Sequence, residues 1–177
     1  LYVGDFSANK NVVRLAEAVL ELRKEDGFSD VRLNIVGGEV KGGGRRSDGK
    51  TQAVIDENPQ AIKAFGKIYY KDKLSEIMRS CSVFAMPSIF ETFGLVYLEA
   101  LSQNLPVVYT KGQGIDGMFD NTVGIGVDPL SVEEIKNAIK MILQNHFQFG
   151  NQHVCFDDFK WGEIAGKYLK EYETIIG

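Results

Sequence analysis

Apolar positions along this chain switch repeatedly between a period of two and a helical period, and the switches divide it into alternating strands and helices. Leu1-Tyr2-Val3 reads as the end of a strand, and residues 4–11 as a turn-rich loop. Val12, Val13, Leu15, Ala16, Val19, Leu20 and Leu22 recur at helical spacing and predict a helix over residues 12–24. Residues 31–36 alternate and stop at Gly37-Gly38, a second strand with a tight turn. Residues 39–50, with Gly42-Gly43-Gly44, Arg45 and Arg46, are expected to form a mobile loop. A helix over 51–57, a third strand over 62–65 closed by Gly66, and a helix over 71–79 follow. The fourth strand, 82–86, stops at Pro87, and after a short polar turn comes a helix that is apolar almost all round except for Glu99. A fifth strand (105–109), a glycine-rich loop (110–116) and a sixth strand (122–127) lead to Ser131, which with Glu134 forms a capping box for a helix to about residue 145. A last helix covers 161–176, with Trp161 expected as its packing anchor.

Strands alternating with helices throughout predict an α/β fold: one Rossmann-like, doubly wound parallel sheet of about six strands, covered on both faces. The length of 177 residues suits one domain, and 44% hydrophobic with 25% charged residues is a globular composition. A net charge of −4 excludes a phosphate-tracking nucleic-acid surface as the main feature, so no nucleic-acid partner is expected. Cys81 and Cys155 lack any bridging or metal-ligand spacing and are expected to be buried thiols in a reducing compartment. The chain opens inside a strand with no preceding methionine, which suggests a piece of a longer polypeptide.

The candidate chemistry gathers where the fourth strand turns into its helix. In an α/β sheet such a turn lies at the carboxyl edge, where ligands bind. Glu91 in the turn and Glu99 in the helix can accept hydrogen bonds from sugar-type diols, and the N–H groups of Phe93, Gly94 and Leu95 would face an anion. Gly94 permits close backbone approach. A wet stripe shared with Ser102 and Gln103 accounts for Glu99 equally well. Lys10, after the first strand, lies on the same edge and can neutralise a phosphate; an exposed lysine at a helix start is its plainer reading. Gly37-Gly38 and Gly112-Gln113-Gly114 also follow strands, but turn formation alone explains them. The chain has no GxGxxG after its first strand and no P-loop, and His146 and His153 enter no triad or metal grouping.

Pro87-Ser88-Ile89-Phe90-Glu91-Thr92-Phe93-Gly94-Leu95 through Glu99-Ala100, then Asn104-Leu105-Pro106-Val107-Val108, resembles the E-x7-E signature of retaining group 1 (GT4-type) glycosyltransferases. Tyr2-Val3-Gly4 with Lys10-Asn11 is similar to that family's first strand and phosphate-loop lysine. Phe65-Gly66 with Leu74, Val123-Gly124 to Pro129, and Phe159-Lys160-Trp161 through Tyr172 extend the resemblance along nearly the whole chain.

The resemblance implies the C-terminal half of a GT-B fold. Residues 1–177 would be a single nucleotide-sugar-binding domain, and the N-terminal acceptor-binding domain of the same polypeptide would be absent. Carried over by position, Glu91 would meet the donor sugar's hydroxyls, and the backbone of Phe93, Gly94, Leu95 and Val96 the sugar and diphosphate. Glu99 would hold the ribose, Lys10 with the backbone at Gly4 the diphosphate, and the backbone at Lys67-Ile68 the base. Glu91 and Lys10 are the expected catalytic residues. The resemblance implies a nucleoside-diphosphate sugar as donor, a glycan or glycolipid as acceptor, no metal or other cofactor, and no activity from these residues alone. It also implies a cytoplasmic enzyme, at the inner face of the membrane where the other domain associates with it peripherally. Many members carry an arginine directly after the first glycine; here that position is Asp5, leaving Lys10 as the clear cation of the loop, with Arg14, Arg45 or Arg46 as substitutes. Two other readings stay open: a non-catalytic binding module with the same fold, and a sugar-nucleotide epimerase.

Overall fold

The computed structural model describes residues 1–39 and 49–176. Arg45, Arg46 and the glycine run expected in a mobile loop lie outside the described residues. Six strands alternate with six α-helices among the described residues: β1 (Tyr2–Asp5), α1 (Val12–Leu22), β2 (Leu33–Gly38), α2 (Lys50–Glu57), β3 (Ile62–Ala64), α3 (Lys71–Arg79), β4 (Phe84–Ala85), α4 (Leu95–Ser102), β5 (Val107–Thr110), β6 (Gly124–Val127), α5 (Val132–Gln144) and α6 (Trp161–Ile176).

Every strand pairing is parallel, and the strands form two three-stranded ladders, β1-β2-β3 and β4-β5-β6. The expected single sheet is therefore divided, but only just. The Leu1 nitrogen donates to the Val83 carbonyl at 2.7 Å, and the Ala85 N–H donates to the Leu1 carbonyl at 2.8 Å. Those two bonds are the pattern of one parallel bridge, so β1 lies beside β4 and the spatial order is 3-2-1-4-5-6. The order reverses between β1 and β4. Parallel crossovers are right-handed, so helices leaving the two sides of this point cover opposite faces. Accordingly α1 packs with α2 and α5, and α3 packs with α4.

The core is built from strand residues such as Tyr2, Ile35, Phe84, Val107 and Val108, covered by Leu15, Val19 and Leu22 of α1 and by Ile135, Ile139 and Ile142 of α5. The capping box at α5 forms as expected: the Ser131 hydroxyl accepts from the Glu134 N–H at 3.1 Å. Three expectations fail at the carboxyl end and at the thiols. Trp161 is 83% exposed, and α6 buries none of its residues. Periodicity predicts an apolar stripe on a helix but not that a partner covers it. Cys155 is exposed and Cys81 half-buried, both as free thiols. No helix among the described residues is long and apolar enough to cross a membrane.

Candidate functional site

Because the strand order reverses between β1 and β4, the loops leaving their carboxyl ends splay apart and open a crevice. The loop after β1 begins with Gly4, where a Cβ would lie 2.5 Å from the Tyr2 hydroxyl; that hydroxyl donates to the Asp5 carbonyl at 2.6 Å. Asp5 itself closes an Asx turn, its Oδ1 accepting from the Ser7 N–H at 2.9 Å. The position at which many relatives by resemblance carry a cation is thus used here to shape the loop. A single 3₁₀ turn, Ala8–Lys10, follows. Asn11 is left-handed at φ 58° and buried; its Nδ2 donates to the Pro87 and Pro129 carbonyls at 2.9 and 2.6 Å. Arg14, weighed above as a substitute cation, instead donates to Asn11 Oδ1 at 2.8 Å and orients that amide.

The turn after β4 has no regular secondary structure, yet every backbone polar group from Pro87 to Glu91 is satisfied. The carbonyl of Pro87 accepts from Asn11, and that of Ser88 from the Thr110 hydroxyl at 2.6 Å. The N–H groups of Ser88 and Ile89 donate to the Met86 and Asn9 carbonyls, both at 2.8 Å. Asn9 clasps Phe90 by both edges: Nδ2 donates to its carbonyl at 2.8 Å, and Oδ1 accepts from its N–H at 3.0 Å. From the loop after β5, Gln113 Oε1 accepts from the Glu91 N–H at 2.8 Å, while Nε2 donates to the Ile89 carbonyl at 3.1 Å. The Gly114 N–H closes the account at the Glu91 carbonyl, 3.2 Å away.

This stitching brings the two expected catalytic residues together. Lys10 Nζ lies 2.7 Å from Glu91 Oε2, with 19% and 11% of the respective side chains exposed. Glu91 Oε1 has no protein partner among the described residues, and the ammonium retains two further donors. Two residues on, Gly94 takes φ +76°, and a Cβ there would lie 2.6 Å from the Tyr97 ring. Tyr97 is fully buried: it packs edge-on against Phe84 at 5.6 Å, and its hydroxyl donates to the buried Met86 carbonyl. Burial, with the Glu91 charge adding to it, pushes the Tyr97 phenol far above its ordinary pKa. Gly94 is the N-cap of α4, and among the described residues none of the N–H groups of Phe93, Gly94, Leu95 and Val96 finds an acceptor. Four consecutive unpaired donors at a helix N-terminus make an anion-binding end.

Glu99 lies on the exposed side of α4, and its carboxylate has no hydrogen bond or ion pair among the described residues. The wet stripe is real, and α4 is not buried all round. Its outward apolar residues Leu95 and Leu98 join Phe93, Phe159, Trp161 and Ile164 around an apolar cavity of about 580 Å³. Lys67 and Ile68 belong to a separate cavity. With Gly4, Asp5, Gly37, Gly38 and Tyr69 they line a cavity of about 240 Å³ at the carboxyl ends of β1 and β2.

The structure thus brings Lys10 to Glu91 and Gly4 to Lys67 and Ile68, with Phe93 to Val96 at the helix end between Glu91 and Glu99. Sequence reasoning missed Asn9, Asn11, Thr110 and Gln113. Their residue types were a signal, since amides and hydroxyls in loops after strands can cap irregular backbone. Which loops meet depends on strand order, and the linear pattern does not contain it. Gly112-Gln113-Gly114, read as a plain turn, is a wall of the site.

Comparison with known proteins gives the same picture. The profile of the family described as glycosyl transferases group 1 matches residues 1–153. The chain is 35% identical over 114 residues to the sucrose synthase of Melioribacter roseus, an alignment covering 62% of this chain and 13% of that protein. It is 26% identical over 197 aligned positions to the α-maltose-1-phosphate synthase of Mycobacterium tuberculosis, covering 99% of this chain and 47% of the relative. The chain therefore spans half or less of the length of these relatives. Among solved structures, Anabaena HepE (Alr3699) in complex with UDP superposes with a TM-score of 0.76 at 20% identity, over 98% of this chain and 48% of that one. At that identity the likeness establishes the fold, which is the Rossmann-like α/β architecture of the GT-B glycosyltransferases. With the E-x7-E carboxylates, the paired lysine and the family match in agreement, this chain belongs to the group 1 glycosyltransferases.

Proposed function

We propose that this chain is the donor-binding half of a two-domain retaining glycosyltransferase that moves a sugar from a nucleoside-diphosphate sugar to a glycan or glycolipid acceptor. The observation that carries this reading is the unpaired N-terminus of α4 directly after the Lys10–Glu91 pair, at the crevice where the strand order reverses. The diphosphate lies against the free N–H groups of α4 and the two unused donors of Lys10. The transferred sugar hydrogen-bonds Glu91 Oε1, the ribose diol reaches Glu99, and the base occupies the cavity at Lys67-Ile68. The UDP carried by the Anabaena neighbour supports a uridine nucleotide as the first ligand to try.

In the reaction the bond from the anomeric carbon to the diphosphate oxygen breaks. The acceptor oxygen bonds that carbon on the same face, and its proton leaves with the nucleoside diphosphate. Negative charge grows on the departing diphosphate, so fixed positive charge and oriented N–H dipoles lower the barrier. Lys10 is held for this task by Glu91, which reads the sugar at the same time. A metal ion has no part in this scheme, and the acceptor contacts fall to the other domain.

Calorimetric titration with UDP, UDP-glucose, GDP and GDP-mannose tests the reading. Binding to one nucleotide pair is expected, and silence with all four at millimolar concentration overturns it. In the polypeptide carrying both domains, Lys10→Ala and Glu91→Ala separate an enzyme from a scaffold, since only an enzyme loses turnover.

A further inference from the structure

We infer that Asn9 and Gln113 are positioning residues for Glu91, two amide clips that place its carboxylate where the transferred sugar is read; this rests on the donor-site reading above. Residues 87–91 belong to no helix or ladder, so no repeating bond pattern dictates where Glu91 points. Their shape comes from outside. Asn9 reaches in from the loop after β1 and bonds both edges of Phe90, while its own carbonyl accepts from the Ile89 N–H. From the loop after β5, Gln113 spans the other side of the turn, from the Glu91 N–H to the Ile89 carbonyl. A primary amide offers a donor and an acceptor on one rigid plane, and both clips use the two together. Reversing either amide would set donor against donor and oxygen against oxygen, so each orientation follows from the bonds themselves.

The two clips differ in what they couple. Asn9 precedes Lys10, so it ties the diphosphate cation and the sugar carboxylate to a single register. Gln113 holds the Glu91 backbone directly and touches neither Lys10 nor the N–H groups of α4. Loss of the Gln113 amide therefore loosens the sugar-reading carboxylate, with Lys10 still paired to it and the α4 N–H groups left in place. Small displacements at a reacting centre carry large costs, and water can replace the lost bonds at this partly exposed turn, so the chain still folds.

The test is Gln113→Ala beside the wild type, with Gln52→Ala as control, whose amide bonds Asp56 on the remote α2. In the unliganded chain, amide exchange followed by NMR is expected to rise about tenfold at Glu91 in Gln113→Ala and to stay unchanged in Gln52→Ala. Each protein is then titrated with UDP and UDP-glucose, and with GDP and GDP-mannose. Gln113→Ala is expected to hold the nucleoside diphosphate within about twofold of wild type, while its affinity for the sugar nucleotide falls about tenfold relative to that diphosphate. A ratio equal to the wild-type ratio, an equal loss for both ligands, or unchanged exchange at Glu91 overturns the inference. A wild type that binds no nucleotide overturns the donor-site reading first, and this inference with it.

Discussion

The two carboxylates of the motif, Glu91 and Glu99, live in opposite surroundings. Glu91 is nearly covered, ion-paired to Lys10 at 2.7 Å, and carried by a turn whose backbone is tied to the loops after β1 and β5. Glu99 stands exposed on α4 with no partner for its carboxylate among the described residues. One end of the motif is built before any ligand arrives; the other is an open hand. A preformed ion pair costs no reorganisation when charge develops beside it, which suits the reacting end of a donor. A free surface carboxylate suits a diol that is bound and released without chemistry.

Breaking the built end has the largest expected effect. On the proposed function, Lys10→Ala removes the diphosphate cation and strands Glu91, so turnover in the proposed two-domain polypeptide should fall about 10³-fold. The same change should cost about 2 kcal/mol of stability in urea titration, because one partner of a mostly covered pair is left uncompensated. The double variant Lys10→Met/Glu91→Gln removes both charges and should regain most of that stability without regaining turnover. If activity returns with stability, the pair is scaffolding and the contrast between Glu91 and Glu99 collapses.

Gly94 is the joint between the two ends. Its φ of +76° already disfavours a side chain, and a Cβ would sit 2.6 Å from a Tyr97 ring held by Phe84 and by the Met86 carbonyl. Gly94→Ala should destabilise the chain by about 2–3 kcal/mol, measured by denaturant unfolding, and should weaken UDP because the α4 N–H groups shift. A variant of wild-type stability would show that the ring gives way, and that α4 is not fixed by this contact.

Most of the fold was legible in the sequence because α/β proteins announce themselves by alternating periods. All six strands and the helices of the described residues lie within a few positions of their expected places. The pairing of Lys10 with Glu91 was legible only as two residues on one edge, since their contact requires β1 to lie beside β4. Helices α5 and α6 show where periodicity stops informing. Both are amphipathic, yet α5 buries Ile135, Ala138, Ile139 and Ile142 against the sheet and α1, whereas α6 buries nothing. A stripe states what a helix can bury, and only the tertiary arrangement states whether anything covers it. Gln113 was overlooked for a related reason: beside two glycines it looked like turn chemistry, while its amide belongs to a backbone 22 residues away.

Glu99 offers the smallest effect and the finest discrimination. Its side chain packs against nothing that the fold needs, so Glu99→Ala should leave stability within about 0.5 kcal/mol of wild type. Its role, if it holds the ribose, lies in charge-assisted bonds to hydroxyls, each worth roughly a tenfold change in affinity. Wild type should therefore prefer UDP to 2′-deoxy-UDP by about tenfold, and Glu99→Ala should bind the two nearly alike. The preference must vanish by weakening UDP, with the deoxy ligand barely affected, because only UDP offers the hydroxyl that the carboxylate accepts from. Equal tightening of both ligands would instead mean that Glu99 acts only through its charge, since removing a carboxylate from α4 favours any diphosphate at the helix N-terminus. That outcome would leave Glu91 as the sole ligand-reading carboxylate of the motif.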